Sequence, residues 1–524
     1  MDVIVIGGGV NGLVAAALLA KQKLQVTVLE RQPVTGGAAA TSELAPGFHV
    51  PALSHALGPV HRDVVRALQL DRGAGLEFLT PDPALTTLGA DGRVISFHRD
   101  AVLTAGSINP VSARDAAVWR EFVHTTQRLA GVIGALDRQP PPPIDDTTMR
   151  DWWRMIGAGR RARALGRTNL ARLARWVPMA VGDLVDEWFE SDLVRGAVAA
   201  RALIGTFAGP RSAGTGGALL QRIAEDPMPV GGGLTARGGP GALARAIATR
   251  AASYGATIRT DARVARVLTS QGRASGVALD TGIEISARVV VAAIDPREAL
   301  LRLVDPMDLP ASFRERTRHI RGRGVTAKIN LALSDLPEFP AFAGDALPYR
   351  GRLLVAPSLD YLERAFDAVK YGAISDRPWL EIAIPSVIDP SLTPDGGQVM
   401  SIYAQCAPMH LGDEGQDYRE TLYRRVMDVL APHAPGLEAL VTAREIVTAS
   451  DLELHWGITG GHMFHGETAL DQFWIARPLL GWSQYRTPLP GLFLASAGTH
   501  PGGGLTGLPG LHAASAVMEE LRSR

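Results

Sequence analysis

One feature near the N-terminus restricts the fold more than any other. Val3-Ile4-Val5-Ile6 is a short β-branched run of the kind that forms a buried parallel strand. Gly7-Gly8-Gly9-Val10-Asn11-Gly12 follows directly and satisfies G-x-G-x-x-G. Leu13 to Ala20 is rich in Ala and Leu and reads as a helix, Leu24 to Leu29 reads as a second strand, and that strand ends at Glu30. Each part has a task in binding a dinucleotide. Gly7 makes the tight turn, Gly9 lets backbone approach a pyrophosphate, and Gly12 lets the helix lie close to the strand. The free N–H groups and dipole at the helix start favour phosphate. Glu30 stands where a ribose would need a hydrogen-bond acceptor. The competing reading is a βαβ unit with an incidental glycine turn.

The rest of the composition limits the alternatives. At 524 residues the chain is long enough for roughly two to four domains. Lys+Arg and Asp+Glu both number 53, so no global basic field exists to hold nucleic acid. Only four of the cations are lysines: Lys21, Lys23, Lys328 and Lys370. Cys406 is the single cysteine, which excludes an intrachain disulfide, a CxxC redox pair and a cysteine-rich zinc site. The charge-free run Val3 to Ala20 has the length of a membrane span, but the consecutive glycines Gly7 to Gly9 and Asn11 interrupt it. Asp2 also stands where a signal peptide would carry positive charge. These features predict a cytoplasmic protein without a membrane-spanning helix.

Residues 61–225 read as a helical insertion, with one long helix from Ala113 to Leu136 and a stiff Pro140 to Pro143 connection. Arg154 to Arg175 holds seven arginines and no acid, interleaved with Leu165, Leu170, Leu173 and Trp176 and preceded by Trp152 and Trp153. Residues 152–176 are thus open to two readings. They form either a peripheral contact with anionic lipid or a cap helix with a solvated arginine face, and Gly157, Gly159 and Gly166 are expected to break that helix. Gly231 to Gly233 and Gly238 to Gly241 lack a preceding strand, so a second nucleotide domain is not expected. Val289 to Ala293 is another buried strand. Arg323 to Leu333 is a strand with Ala327, Ile329 and Leu331 on one side and Thr326, Lys328 and Asn330 on the other. A lysine in such a strand either serves a site or reaches a carboxylate or sheet edge. His462 and His465 sit in a glycine-rich loop without an evident third metal ligand, so no metal is expected. At the C-terminus a strand (Gly491 to Ala495), a glycine loop (Ser496 to Gly507) and a helix (Leu511 to Leu521) repeat the arrangement that offers backbone donors to an anion.

Three stretches carry a family resemblance. Glu30-Arg31 followed by Gly36-Gly37-Ala38 resembles the continuation found in FAD-binding amine-oxidase-like and phytoene-desaturase-like flavoproteins. Leu492 to Gly507 resembles the C-terminal signature of phytoene desaturases. Phe464 to Ala514 is similar to the pyridine nucleotide-disulfide oxidoreductase domain-containing protein 2 group, although the missing CxxC excludes disulfide-reductase chemistry. The resemblance spans essentially the whole chain. It implies an α/β fold: a discontinuous Rossmann-type FAD-binding domain at 1–60, 226–300 and 480–524, with an α+β substrate and cap domain at 61–225 and 301–479. It implies non-covalent FAD held by Gly7, Gly9, Val10, Asn11, Gly12, Glu30, Arg31, Gly36, Gly37, Ala38, Val264, Gly498, Thr499, Thr506, Gly507 and Leu508. The C-terminal loop would supply donors to the N1–C2=O edge of the flavin. Where many flavoproteins of this fold place a ribityl-binding acid, this chain has Thr499 and His500. Lys328 resembles the strand lysine that holds a water at flavin N5 in amine oxidases, and His55, His465 and His500 complete the set of polar candidates.

The implied activity is dehydrogenation of a largely apolar organic substrate by hydride transfer to flavin N5, with oxygen, a quinone or another molecule as final acceptor. Rival expectations are an amine or amino-acid oxidase, a redox-neutral flavin isomerase, and a flavin-binding protein without catalysis.

Overall fold

The computed structural model describes residues 1–58, 60–71, 75–144, 149–409 and 415–522. The Val3–Ile6 strand lies at the centre of a five-stranded parallel sheet. The order is Leu492–Leu494, Val289–Ala292, Val3–Ile6, Val26–Leu29, Thr257–Arg259. Strands from both ends and the middle of the chain therefore build one sheet. The central strands are buried on both faces, which is why they read as continuous apolar runs rather than alternating ones. The Val10–Lys21 helix packs between the Gly241–Ser253 and Leu508–Arg522 helices. The last of these approaches so closely that a Cβ on Gly510 would lie 2.1 Å from the Asn11 carbonyl oxygen. The apolar run at the N-terminus is thus strand, turn and helix. Among the described residues no helix is long and apolar enough to cross a membrane.

A second, seven-stranded sheet runs Val441–Val447, Thr326–Leu333, Gln398–Gln405, Leu380–Ala383, Arg352–Val355, Leu85–Leu88, Val94–Phe97. The Leu85–Leu88 and Arg352–Val355 strands pair parallel, and the other neighbours pair antiparallel. The alternation expected along Thr326–Leu333 is present. Ala327, Ile329, Leu331 and Leu333 face a core with Leu353, Ile382, Ile402 and Val426. Register places Lys328 opposite Tyr403 and Asn330 opposite Ser401, and Glu381 opposite Tyr403 in turn, so all five share the other face. A three-stranded antiparallel sheet, Val264–Ser270, Arg273–Leu279 and Glu284–Ser286, flanks the first sheet.

Residues 61–225 do contain the long helix, Ala113–Asp137, but they are not wholly helical: Leu85–Leu88 and Val94–Phe97 enter the seven-stranded sheet. Four-residue strands carry too little periodicity to stand out in sequence. The arginine-rich stretch forms two helices, Met149–Ala164 and Gly166–Trp176. Gly166, at φ +74°, makes the break. Gly157 and Gly159 do not, because a glycine inside a helix costs only about 1 kcal/mol. Leu165 and Trp176 turn into the core, whereas Arg160, Arg161, Arg163 and Arg167 are exposed. The Trp152 and Trp153 side chains lie outside the described residues.

Candidate functional site

A cavity of about 630 Å³ joins the two large sheets. Its first wall comes from the N-terminal motif. Gly7, Gly9, Val10, Asn11, Glu30, Arg31, Gly36, Gly37, Ala38 and Val264 all line it. Gly12 does not, because its task is structural: a Cβ there would lie 2.1 Å from the Gly7 carbonyl oxygen. At Gly9 the nearest atom to such a Cβ would be the Gly37 Cα, at 4.0 Å. The protein itself therefore leaves space at Gly9. The Glu30 carboxylate is buried, accepting from Gly8 N at 2.6 Å and Gln32 N at 2.8 Å, and this fixes it at the end of its strand. The helix beginning at Val10 has no side-chain cap. Asn11 Oδ1 is buried there without a hydrogen-bond partner. Uncapped N–H groups, open space at Gly9, an orphaned amide oxygen and a fixed carboxylate fit a dinucleotide.

The C-terminal loop reaches the cavity through Ala497, Gly504 and Leu505. The residues expected there by resemblance are placed differently. Gly498 packs against Pro296, and the Thr499 hydroxyl donates to the Ser496 carbonyl at 2.8 Å. Thr506 Oγ1 accepts from Leu508 N at 3.3 Å at the start of the last helix, and Gly507 packs against Val14 and Val64. None of Gly498, Thr499, Thr506, Gly507 and Leu508 lines the cavity wall. Two non-glycine residues on the wall hold positive φ, His465 at +57° and Leu505 at +60°. Such conformations cost about 1–3 kcal/mol each and gather at functional sites.

The opposite wall is the polar face of the seven-stranded sheet. There Lys328, Ser401, His55, Glu381 and Arg352 form one buried chain. Lys328 Nζ donates to Ser401 Oγ, and Ser401 Oγ lies 3.4 Å from His55 Nδ1. His55 Nε2 is 3.0 Å from Glu381 Oε1, and Arg352 Nη1 donates to Glu381 Oε2 at 2.7 Å. Arg352 Nη2 ends the chain on the carbonyls of Val230 and Gly231. Glu381 accepts from Arg352, so His55 Nε2 carries the proton and Nδ1 is left to accept from Ser401. The Tyr403 ring lies beside the chain, 4.6 Å from Lys328 Nζ and 4.1 Å from the His55 ring.

Burial sets the charge states. It pushes His55 down to about 4, with the nearby Lys328 adding to the effect, and it lowers the Lys328 ammonium well below its ordinary range. Burial alone would raise Glu381, but Arg352, His55 and Arg201 outweigh it and hold the carboxyl near 2. The resting network therefore holds an ionised Glu381 against Arg352 and a neutral His55, with the ammonium form of Lys328 disfavoured by burial. Because His55 protonates more easily in the unfolded chain than in the folded one, stability should be full above pH about 6.5. It should fall as pH drops through the interval from about 6.5 to 4. Denaturant midpoints measured across that interval check this: His55→Gln should flatten the slope, and an unchanged slope would remove His55 as its source.

The remaining histidines differ in position. His465 lines the cavity and burial lowers its pKa. His500 is fully buried behind the loop, its ring 6.4 Å from that of His512, and it does not reach the cavity. Among the described residues no group of three or more His, Cys, Asp or Glu side chains is placed to hold a metal. Sequence reasoning missed Arg352 and Glu381, although each is a charge inside a short apolar strand, the same signal that singled out Lys328. It also missed the cap residues Arg201, Arg222, Glu225 and Asp226, which line the cavity from two helices and the turn after them.

Comparison with known proteins places the chain in a family. The model for the family described as flavin containing amine oxidoreductase matches residues 11–517. The rat (Rattus norvegicus) pyridine nucleotide-disulfide oxidoreductase domain-containing protein 2 is 33% identical, over 100% of this chain and 94% of its own length. A neurosporene-forming phytoene desaturase of Cereibacter sphaeroides is more distant, 23% identical over 99% of this chain and 94% of its own. Among solved structures, cyclohexylamine oxidase from Brevibacterium oxydans has the same fold, with a TM-score of 0.60 at 18% identity and 99% of each chain covered. The chain belongs to the flavin containing amine oxidoreductase family, and its cofactor is FAD.

Proposed function

We propose that this protein is an FAD-dependent dehydrogenase that removes a hydride from a C–H bond of a largely apolar organic substrate. One observation carries the reading: the wall that fits the dinucleotide and the wall holding Lys328 enclose the same cavity. Residues 1–60, 226–300 and 480–524 would form the FAD domain, with 61–225 and 301–479 as the substrate and cap domain.

Bound FAD supplies a hydride acceptor at flavin N5. The chain's own residues do the rest. Gly7, Gly9, Val10 and Asn11 receive the pyrophosphate, and Glu30 receives the ribose. Ile204, Met463, Phe464 and Leu57 offer apolar surface to the substrate. Phe464 is fixed by two glycines, Gly205 and Gly503, at which a Cβ would overlap its ring, and by Arg222, 4.4 Å from the ring centre. Loss of a hydride and a proton from adjacent carbons leaves a double bond, and Lys328 Nζ, whose ammonium form burial disfavours, takes the proton. Ser401 and His55 steady that amine from behind.

The phytoene desaturase relative is named for desaturation, which supports this reading over the amine oxidase one, and Tyr403 and Phe464 supply the aromatic surface an amine oxidase would also need. Product analysis separates the two. Turnover of the holoprotein with a polyene and an artificial electron acceptor should give a product two hydrogens lighter. Ammonia and an aldehyde from an amine panel, with no polyene product, would replace desaturation by amine oxidation.

A further inference from the structure

Arg201 stands apart from the other cations on the substrate side of the cavity. It sits in the last turn of the Asp192–Leu203 helix and lines the cavity together with Ile204. Every neighbouring cation is engaged. Arg222 pairs with Glu225 at 3.0 Å and donates to the Ile204 carbonyl and Thr468. Arg352 pairs with Glu381 at 2.7 Å, and Lys328 donates to Ser401. Among the described residues Arg201 has neither an ion pair nor a hydrogen bond, and its Nε is buried without a partner. The nearby acids are also occupied: Glu225 and Glu381 by those arginines, and Asp226 by the Gly232 N–H at 2.6 Å. Gly231, at φ +82°, makes room for the arrangement. A Cβ there would lie 3.0 Å from both Arg201 Cζ and Arg352 Nη2, so the two guanidiniums flank one glycine.

A guanidinium in a cavity wall loses hydration, and its fork makes no hydrogen bond in return until an acceptor arrives. Its planar fork matches a carboxylate, and such charge-assisted bonds are the strong ones. The carbonyls ending the helix and the more distant Asp226 can steady the charge, but neither bonds to the fork. We infer that Arg201 anchors a carboxylate on the substrate, making the substrate class an organic acid with an apolar body. The inference rests on the dehydrogenase reading for the word substrate. The binding site itself does not depend on turnover.

The test uses oxidised holoprotein and the flavin difference spectrum, with octanoate and octanamide as probes that differ only in charge. Octanoate should bind at least about tenfold more tightly than octanamide. Arg201→Gln should weaken octanoate by about 10- to 100-fold, leave octanamide within about twofold, and retain wild-type flavin content and melting temperature. Arg201→Lys, which keeps the charge and loses the fork, should fall between them. Equal binding of the two probes, no binding of octanoate, or unchanged octanoate affinity in Arg201→Gln would overturn the inference. Loss of flavin from Arg201→Gln would do so as well, by assigning the residue to the cofactor. If octanoate is selected through Arg201 but no donor ever reduces the flavin, the dehydrogenase reading fails and the anion site stands. If an uncharged polyene reduces the flavin and octanoate is ignored, the reverse holds.

Discussion

Gly12→Ala should give protein that purifies without flavin. The added Cβ would lie 2.1 Å from the Gly7 carbonyl oxygen and 3.0 Å from the Ala293 Cβ. The nearest obstacle is backbone of the adjoining turn, so relief requires the helix to lift off the strand that positions it. Overpacking of this kind costs about 1–3 kcal/mol even where side chains can yield, and here they cannot. Gly9→Ala is the informative partner. Its backbone is extended at φ −70°, ordinary for alanine, and a Cβ there meets nothing in the protein nearer than 4.0 Å. The apoprotein of Gly9→Ala should therefore melt like wild type and still bind FAD at least about tenfold more weakly, since the space at Gly9 serves the ligand alone. Flavin content by absorbance and melting of the apoproteins read both outcomes. A Gly9→Ala protein with full flavin affinity would remove the pyrophosphate from this turn.

Lys328→Met should slow reduction of bound flavin by the organic donor by about 10²–10⁴-fold, the usual contribution of one positioned proton acceptor. Methionine matches the length of the lysine stem and leaves no buried polar group in its place, so the fold should tolerate the exchange. Ser401 loses only a donor, and His55, Glu381 and Arg352 keep their bonds. Reduction by dithionite, which needs no proton acceptor in the wall, should be unchanged. The limb of the pH–rate profile that belongs to the lysine should vanish with it. Stopped-flow reduction within about threefold of wild type would make Lys328 a structural member of the polar face.

The parts of this molecule that could be read from sequence are those whose physics is local. The strand–glycine–helix–strand unit with Glu30 is contiguous, and each residue's task follows from its neighbours. Lys328 was legible for another reason, a charge in a strand whose alternate residues are apolar. Glu381 and Arg352 carry the same signal in strands of only four residues, where a period of two has little room to show. Arg201 could not be found this way. Its significance lies in what fails to bond to it, a property of three-dimensional neighbours contributed by Gly231, Asp226 and Arg352. The C-terminal loop shows the limit of resemblance: the signature residues Gly498, Thr499 and Thr506 shape the loop, and Gly504 and Leu505 form the cavity wall. The His500 ring likewise turns inward toward His512, away from the cavity wall.

The most direct test of the central claim is an anaerobic titration of the holoprotein, following the flavin absorbance near roughly 450 nm. Polyenes, amines and NADPH would be added separately. Bleaching by a polyene or another C–H donor is expected, without a requirement for NADPH. Bleaching by amines alone would make the protein an amine oxidase. A flavin band that no donor bleaches would contradict dehydrogenation and leave a redox-neutral isomerase or a non-catalytic flavoprotein.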